Sequence, residues 1–272
     1  MRPASHSPIG VFDSGVGGLT VLKSLLSHLP HESTLYLGDT ARVPYGTKSG
    51  EVVTRYSLKN ATFLMERGIK LLVVACNTAS AVALPALSAA LSVPVVGVIA
   101  PGAWAALRRT RGGQVGVIGT PGTIRSGAYQ RELEAAAGPR GVKVKVRACP
   151  LFVPLAEEGW LAGDVPRMVA REYLADFVQN GVDTLVLGCT HYPLLKDIIA
   201  EVVGPQVTLV DSAEATVQVV AQLLEEQGLL ARAGGVPTHH TFVTDVPERF
   251  VEVGARFLGR PIASAEQVDL SF

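Results

Sequence analysis

Short runs of leucine and β-branched residues recur along the chain, each followed by small or polar residues and then by a stretch with one apolar face. The runs at 9–12, 34–38, 71–74 and 95–98 predict strands. The segments 19–29 and 50–67, and the stretch that opens after Cys76, predict helices. The strand runs show little polar alternation, as expected for strands covered on both faces of a parallel sheet. Strand and helix alternate throughout, which implies βα units. Pro85 falls inside the third helical stretch and predicts a kink or an early end there.

The pattern then restarts. Residues 116–123, G-V-I-G-T-P-G-T, repeat the strand, small turn and helix start of G-V-F-D-S-G at 10–15. The stretch L-V-L-G-C-T-H-Y-P at 185–193 likewise echoes L-L-V-V-A-C-N-T-A-S at 71–80. In both, an apolar strand runs into a cysteine and then into residues suited to opening a helix: Asn77 and Thr78 as caps in one, Thr190 as a cap with Pro193 in the first turn in the other. Two copies of one architecture are expected, with residues 1–100 plus 206–272 forming one α/β domain and 101–205 the other. The tail contributes a strand at 207–210, a helix to about 227, a strand near Thr241 and a helix at 248–257. The fold class is therefore α/β, two pseudo-symmetric parallel-sheet domains facing each other across a central cleft.

Composition narrows the function. Lys plus Arg and Asp plus Glu each number 24 in 272 residues, so no basic stripe suits nucleic acid. Hydrophobic residues make up 48%, enough for two packed cores. The apolar runs are too short to span a bilayer, and the first residues show no export signal, so a cytoplasmic protein is expected. The three cysteines lack metal-site or disulfide spacing, and two of them fall at the same joint of the two repeats. The plain alternative, that both are small buried hydrophobes, does not account for that placement. Cys149, before Pro150, reads as structural, and the adjacent His239 and His240 point to opposite faces of a strand, which excludes a shared metal.

The turn Asp13–Gly18 lacks the last small position of a dinucleotide fingerprint, and no Gly-Lys-Ser/Thr occurs there. It reads better as a turn that contacts an anion or an ammonium group, with Asp13 either a helix cap or aimed into the cleft. The helix starts at Asn77-Thr78 and Thr190-His191 offer free N–H groups for a carboxylate. Tyr45-Gly46 lies in a polar loop suited to covering the cleft. A hydrolase needs one nucleophile, and a dithiol oxidoreductase keeps its thiols close in sequence. Two thiols on opposite sides of one cleft suit a racemase or epimerase, one removing a proton and the other delivering one.

Four segments, F-D-S-G-V-G-G-L-T, Y-L-G-D-T-A-R-V-P-Y-G, V-A-C-N-T-A-S-A and L-G-C-T-H-Y-P, together resemble the glutamate racemases, cofactor-independent members of the aspartate/glutamate racemase superfamily. The resemblance implies Cys76 and Cys189 as the acid/base pair. It implies Asp13 and His191 as their assisting groups, with Glu157, or its neighbour Glu158, beside His191. It implies Asp13, Ser14, Tyr45, Gly46, Asn77, Thr78, Thr190 and His191 as substrate contacts, glutamate as substrate, no cofactor or metal, and a role in supplying D-glutamate for peptidoglycan. Nucleic-acid and membrane partners are not expected, and the chain is compatible with a homodimer. An aspartate or hydantoin racemase is the near alternative. A two-lobed binding protein of the periplasmic type is the distant one, disfavoured by the paired thiols.

Overall fold

The computed structural model describes residues 4–270. The first half runs β1 (Ile9–Asp13), α1 (Leu19–His28), β2 (Thr34–Gly38), α2 (Gly50–Glu66), β3 (Leu71–Val74), α3 (Asn77–Ala90) and β4 (Val95–Gly97). The second runs α4 (Ile99–Arg109), β5 (Gln114–Gly119), α5 (Pro121–Ser126), α6 (Ala128–Ala137), β6 (Lys143–Ala148), α7 (Phe152–Glu157), α8 (Asp164–Gln179), β7 (Thr184–Gly188), α9 (Lys196–Val203) and β8 (Thr208–Asp211). The tail follows with α10 (Ala213–Glu226), β9 (His239–Val243), α11 (Pro247–Leu258) and β10 (Glu266–Gln267).

All the strand pairings are parallel. One sheet has the order β10-β9-β2-β1-β3-β4, the other β6-β5-β7-β8. Without β9 and β10, the first sheet's β2-β1-β3-β4 repeats the order of the second. The repeat legible in the sequence is thus a repeat of topology, and Cys76 and Cys189 follow topologically equivalent strands, β3 and β7. The tail strands β9 and β10 extend the first sheet. The strand at 208–211 does not go with them. It was expected in the first domain, but it pairs with β7 and closes the second sheet. A strand that follows βα units directly is most readily placed beside the last strand laid down, and the tail changes halves only afterwards, through α10.

Strand alternation splits the first half's core into two layers. Ile9, Val11, Leu71 and Val73 face α1, α10 and α11, whereas Phe12, Leu72 and Val74 face α2 and α3. Every residue of β1, β2, β3 and β7 is buried, which is why these segments carry almost no polar side chains. Helix α3 continues past Pro85 to Ala90. The expected early end does not occur, because the apolar face that α3 turns to the sheet outweighs the one backbone hydrogen bond that proline removes. Among the described residues, no helix is long and apolar enough to cross a membrane.

A buried ion pair fastens the lower edge of the first sheet. Lys70 Nζ lies 2.5 Å from Glu32 Oε2, and both side chains are almost wholly removed from solvent. The ammonium also donates to the carbonyls of Ser5 and Leu229, and the Glu32 carboxylate accepts from the Ala231 N–H. Lys70→Met would leave Glu32 buried beside no cation. Urea denaturation should show a loss of about 3–5 kcal/mol, and a loss below about 1 kcal/mol would mean that the pair carries no net stabilisation.

Candidate active site

The cleft is built from strand ends. Val74 closes β3, and two residues later Cys76 occupies the N-cap of α3, its sulfur accepting the Ala79 N–H at 3.5 Å. Asn77 and Thr78 were expected as the caps. They instead form the first helical turn, because the cysteine sulfur already covers the Ala79 N–H. In the second half Cys189 directly follows β7. Thr190 makes no capping hydrogen bond there, contrary to expectation: residues 192–195 form one tight turn with Pro193 near its start, and α9 begins only at Lys196. The Thr190 carbonyl accepts from Thr20 Oγ1 of α1, tying the two halves together.

The two sulfurs have different surroundings. Cys76 lies 3.7 Å from Ser14 Oγ and close to the Asp13 carboxylate. Asp13 Oδ2 accepts the Gly15 N–H at 2.9 Å, whereas Oδ1 is buried without a hydrogen-bond partner. Asp13 is therefore not a helix cap, and α1 starts after Gly18 with no side-chain cap. Cys189 Sγ lies 3.8 Å from His191 Nδ1, and His191 Nε2 lies 2.9 Å from Glu157 Oε1. Glu158 points elsewhere and pairs with Arg249. The neighbour beside His191 is thus Glu157.

The remaining expected residues sit at the junction of the halves. Thr78 Oγ1 is 2.8 Å from Thr120 Oγ1 and 3.2 Å from Thr123 Oγ1. Asn77 Oδ1 accepts from the Tyr129 hydroxyl at 2.7 Å, and its Nδ2 is buried without a partner. Gly46 is packed so tightly on Thr120 that a Cβ would fall 2.6 Å from the threonine Cβ. Tyr45 is buried, and its hydroxyl is engaged by Asp39 and by Asn60 Nδ2. The loop it anchors bridges to the second half through Gly46. A side chain at Gly17 would strike the Thr190 hydroxyl and come within 2.5 Å of His191 Nδ1. The glycine turn thus lets the two halves meet at the site.

Thr120, Thr123 and Tyr129 were not singled out from the sequence. The signal was present for the first two, since Thr120 occupies the place in the repeat that Ser14 occupies, just past the strand, and Thr123 lies three residues on. Tyr129 gave no such signal. His239 and His240 are exposed on β9, with His239 Nδ1 against Thr34 Oγ1, and Cys149 is fully buried. Among the described residues, no group of three or more His, Cys, Asp or Glu is arranged to hold a metal ion.

Electrostatics separate the two sides further. Burial pushes the Cys76 thiol up to about 12, and the Asp13 carboxylate adds to the rise, while the Ala79 N–H and the Ser14 hydroxyl relieve part of it. Burial also lifts Asp13 above the usual carboxylate value, against the charge of His191 and the N–H groups of Gly15, Gly18 and Ser14. For His191, burial opposes the charged ring, but hydrogen bonds to Cys189 and Glu157 outweigh it and raise the imidazolium to about 10. Burial likewise opposes the Glu157 charge, yet His191 holds this carboxyl below its ordinary value.

The sign of the resulting pH dependence follows. His191 keeps in the folded state a proton that the unfolded chain releases around pH 6.5, so its stabilisation is complete below 6.5 and is lost as pH rises through about 10. Cys76 acts in the same direction above its ordinary value of 9.0. Thermal unfolding should therefore move to lower temperature between pH 7 and 10, with a shallower fall in Glu157→Gln. A midpoint that stays constant over that range in the unaltered protein would show that His191 is neutral in the fold.

This geometry can be set beside known proteins. The sequence profile described as Asp/Glu/Hydantoin racemase matches residues 9–220. The glutamate racemase of Geobacter metallireducens is 60% identical over 262 residues, 96% of each chain. Among solved structures, glutamate racemase from Francisella tularensis in complex with D-glutamate superposes with a TM-score of 0.91 at 39% identity, covering 98% of this chain and 99% of that one. The Thermus thermophilus glutamate racemase, in complex with β-chloro-D-alanine, gives 0.88 at 48% identity over 98% of both chains. The resemblance drawn from four short motifs therefore extends over the whole fold, and the chain belongs to the Asp/Glu/hydantoin racemase family.

Proposed function

We propose that the protein interconverts L- and D-glutamate by a two-base mechanism in which Cys76 and Cys189 serve opposite faces of the α-carbon. The observation that carries this reading is the pair of thiols at equivalent strand ends, each with its own polar surroundings. One cysteine, as thiolate, removes the α-proton. The electron pair is delocalised into the adjacent carboxylate, and the other cysteine, as thiol, delivers a proton from the far side. The next substrate must then arrive from the other direction or the protons must re-equilibrate. No redox change or co-reactant is required.

The cleft's own groups account for binding. The free N–H groups at the start of α3 and the hydroxyls of Thr78 and Thr190 suit carboxylates. The partnerless Asp13 Oδ1 suits the substrate ammonium, with Ser14, Gly46, Asn77 and His191 around it, and Tyr45 holds the Gly46 loop in place. A bound ammonium next to Asp13 would relieve the anionic field that, with burial, holds the Cys76 thiol protonated. His191, charged and held by Glu157, places a proton source beside Cys189. Glutamate is favoured over aspartate because the relatives at 39–60% identity are glutamate racemases, one of them holding D-glutamate. A cytoplasmic role supplying D-glutamate for peptidoglycan fits this reaction.

Single substitutions separate the two sides. Cys76→Ala and Cys189→Ala should each abolish racemisation while keeping the circular dichroism spectrum of the fold, since each removes only a small side chain from the cleft wall. The resemblance to the glutamate racemases implies that Cys76 takes the α-proton of D-glutamate and Cys189 that of L-glutamate, so with a glutamate analogue bearing a leaving group at the β-carbon, Cys76→Ala should still eliminate from the L enantiomer and Cys189→Ala from the D enantiomer. Near-normal racemisation by either variant, or the same enantiomer preference in both, would refute the assignment.

A further inference from the structure

Helix α11 belongs to the first half, yet it touches the pair that serves the second half's cysteine. Its Phe250, Val253 and Phe257 are buried in the same core as Leu19 and Val11, and Ala156 of α7 is packed into that core as well. The short helix α7 is thus docked on the opposite half, and Glu157 is its last residue. The carbonyls of a helix's last turn have no partner within the helix, and a cation is favoured there. Arg256 meets that need: its Nη1 donates to the Glu157 carbonyl. Gly159, at φ +75°, ends the segment, and a Cβ there would lie 3.1 Å from Arg256 Nη1, so the guanidinium lies flush against the turn. The next residue, Phe257, presents its ring to His191 at 5.0 Å and 76°, an edge-on contact. Two consecutive residues of α11 therefore fix both members of the His191–Glu157 pair, one through the backbone and one through the ring.

We propose that Arg256 is a positioning residue for the Cys189 side of the reaction, holding the end of α7 so that the Glu157 carboxylate meets His191 Nε2. The proposal rests on the racemase reading above. Cys76 takes its surroundings from Asp13, Ser14 and Ala79, and Arg256 hydrogen-bonds to none of them. Loss of Arg256 therefore weakens one proton transfer and spares the other.

Racemisation rates alone cannot display this asymmetry. The two enantiomers have equal free energy, so kcat/KM stays equal in the two directions for every variant. The half-reaction on 3-chloroglutamate can display it. There the thiolate takes the α-proton, the Cβ–Cl bond breaks with its electron pair leaving as chloride, and the resulting enamine hydrolyses to 2-oxoglutarate and ammonium. Arg256→Ala should lower elimination from the L enantiomer by about tenfold, as expected when a catalytic group is misplaced by a fraction of an ångström, and leave the D enantiomer within about twofold. The alkaline limb of the L profile should also move below its position in the unaltered protein, because His191 then loses part of its hold on the proton. Arg256→Lys should restore much of the L-side rate, since an ammonium can reach the same carbonyl. Equal losses for both enantiomers, or no loss, or failure of lysine to restore the rate, would overturn the proposal. Glutamate racemisation by the unaltered protein is measured first: an inert protein would defeat the racemase reading, whereas an active one with symmetric losses would defeat the role of Arg256 alone.

Discussion

The hydrogen bond between His191 and Glu157 joins two elements far apart in sequence and sets the charge of one side of the cleft. A histidine as deeply buried as His191 would ordinarily give up its proton, because a low-dielectric surrounding disfavours the charged ring. Here the carboxylate at 2.9 Å and the nearby Cys189 reverse that outcome. Cys189 then faces a proton donor, while Cys76 faces a carboxylate and burial that keep its thiol protonated. The two sulfurs are equivalent in topology and opposite in electrostatics. The proposed two-base reaction needs one thiolate and one thiol at a time, and these surroundings set which sulfur holds its proton before substrate binds.

Parallel sheets explain how the difference is built. Side chains just past the carboxyl ends of parallel strands gather in one crevice, whatever the strands' positions in sequence. With the order β2-β1-β3-β4 repeated as β6-β5-β7-β8, the two crevices face each other, and the cysteines after β3 and β7 come to one space. The glycines at 17 and 46 allow the halves to approach until threonine hydroxyls and the histidine ring of the second half touch backbone of the first. The repeat supplies the symmetry, and the residues inserted at the strand ends, Asp13 and Ser14 on one side and His191 on the other, break it.

Much of this was legible in the chain because it depends on local patterns. Uninterrupted apolar runs mark buried parallel strands, and the strand-cysteine-polar echo marks the equivalent joints. What was not legible depends on contacts between distant segments. The strand at 208–211 joins the second sheet because its apolar run fits beside β7, and no residue in the run itself says which sheet will take it. Cys76 takes the capping position that Asn77 and Thr78 were expected to fill, because the sequence shows the chemistry of a cap but not the angle at which the strand ends. The choice between Glu157 and Glu158 turns on α7's rotation, which is set by Ala156 docking into the first half's core. Pro85 shows the reverse case, a strong local signal overridden by the packing of a whole helix face.

The central claim is that two different cysteines handle the proton, one on each face of the α-carbon, and solvent isotope tests it most directly. L-glutamate is incubated with the protein in deuterium oxide and stopped early, and the α-position of each enantiomer is read by mass spectrometry after chiral separation. The account predicts that the D-glutamate formed carries solvent deuterium in nearly every molecule while the remaining L-glutamate stays unlabelled, because the group that delivers the proton is not the one that removed it. Product that retains the original hydrogen, or substrate that exchanges as fast as product forms, would show one shared base and contradict it.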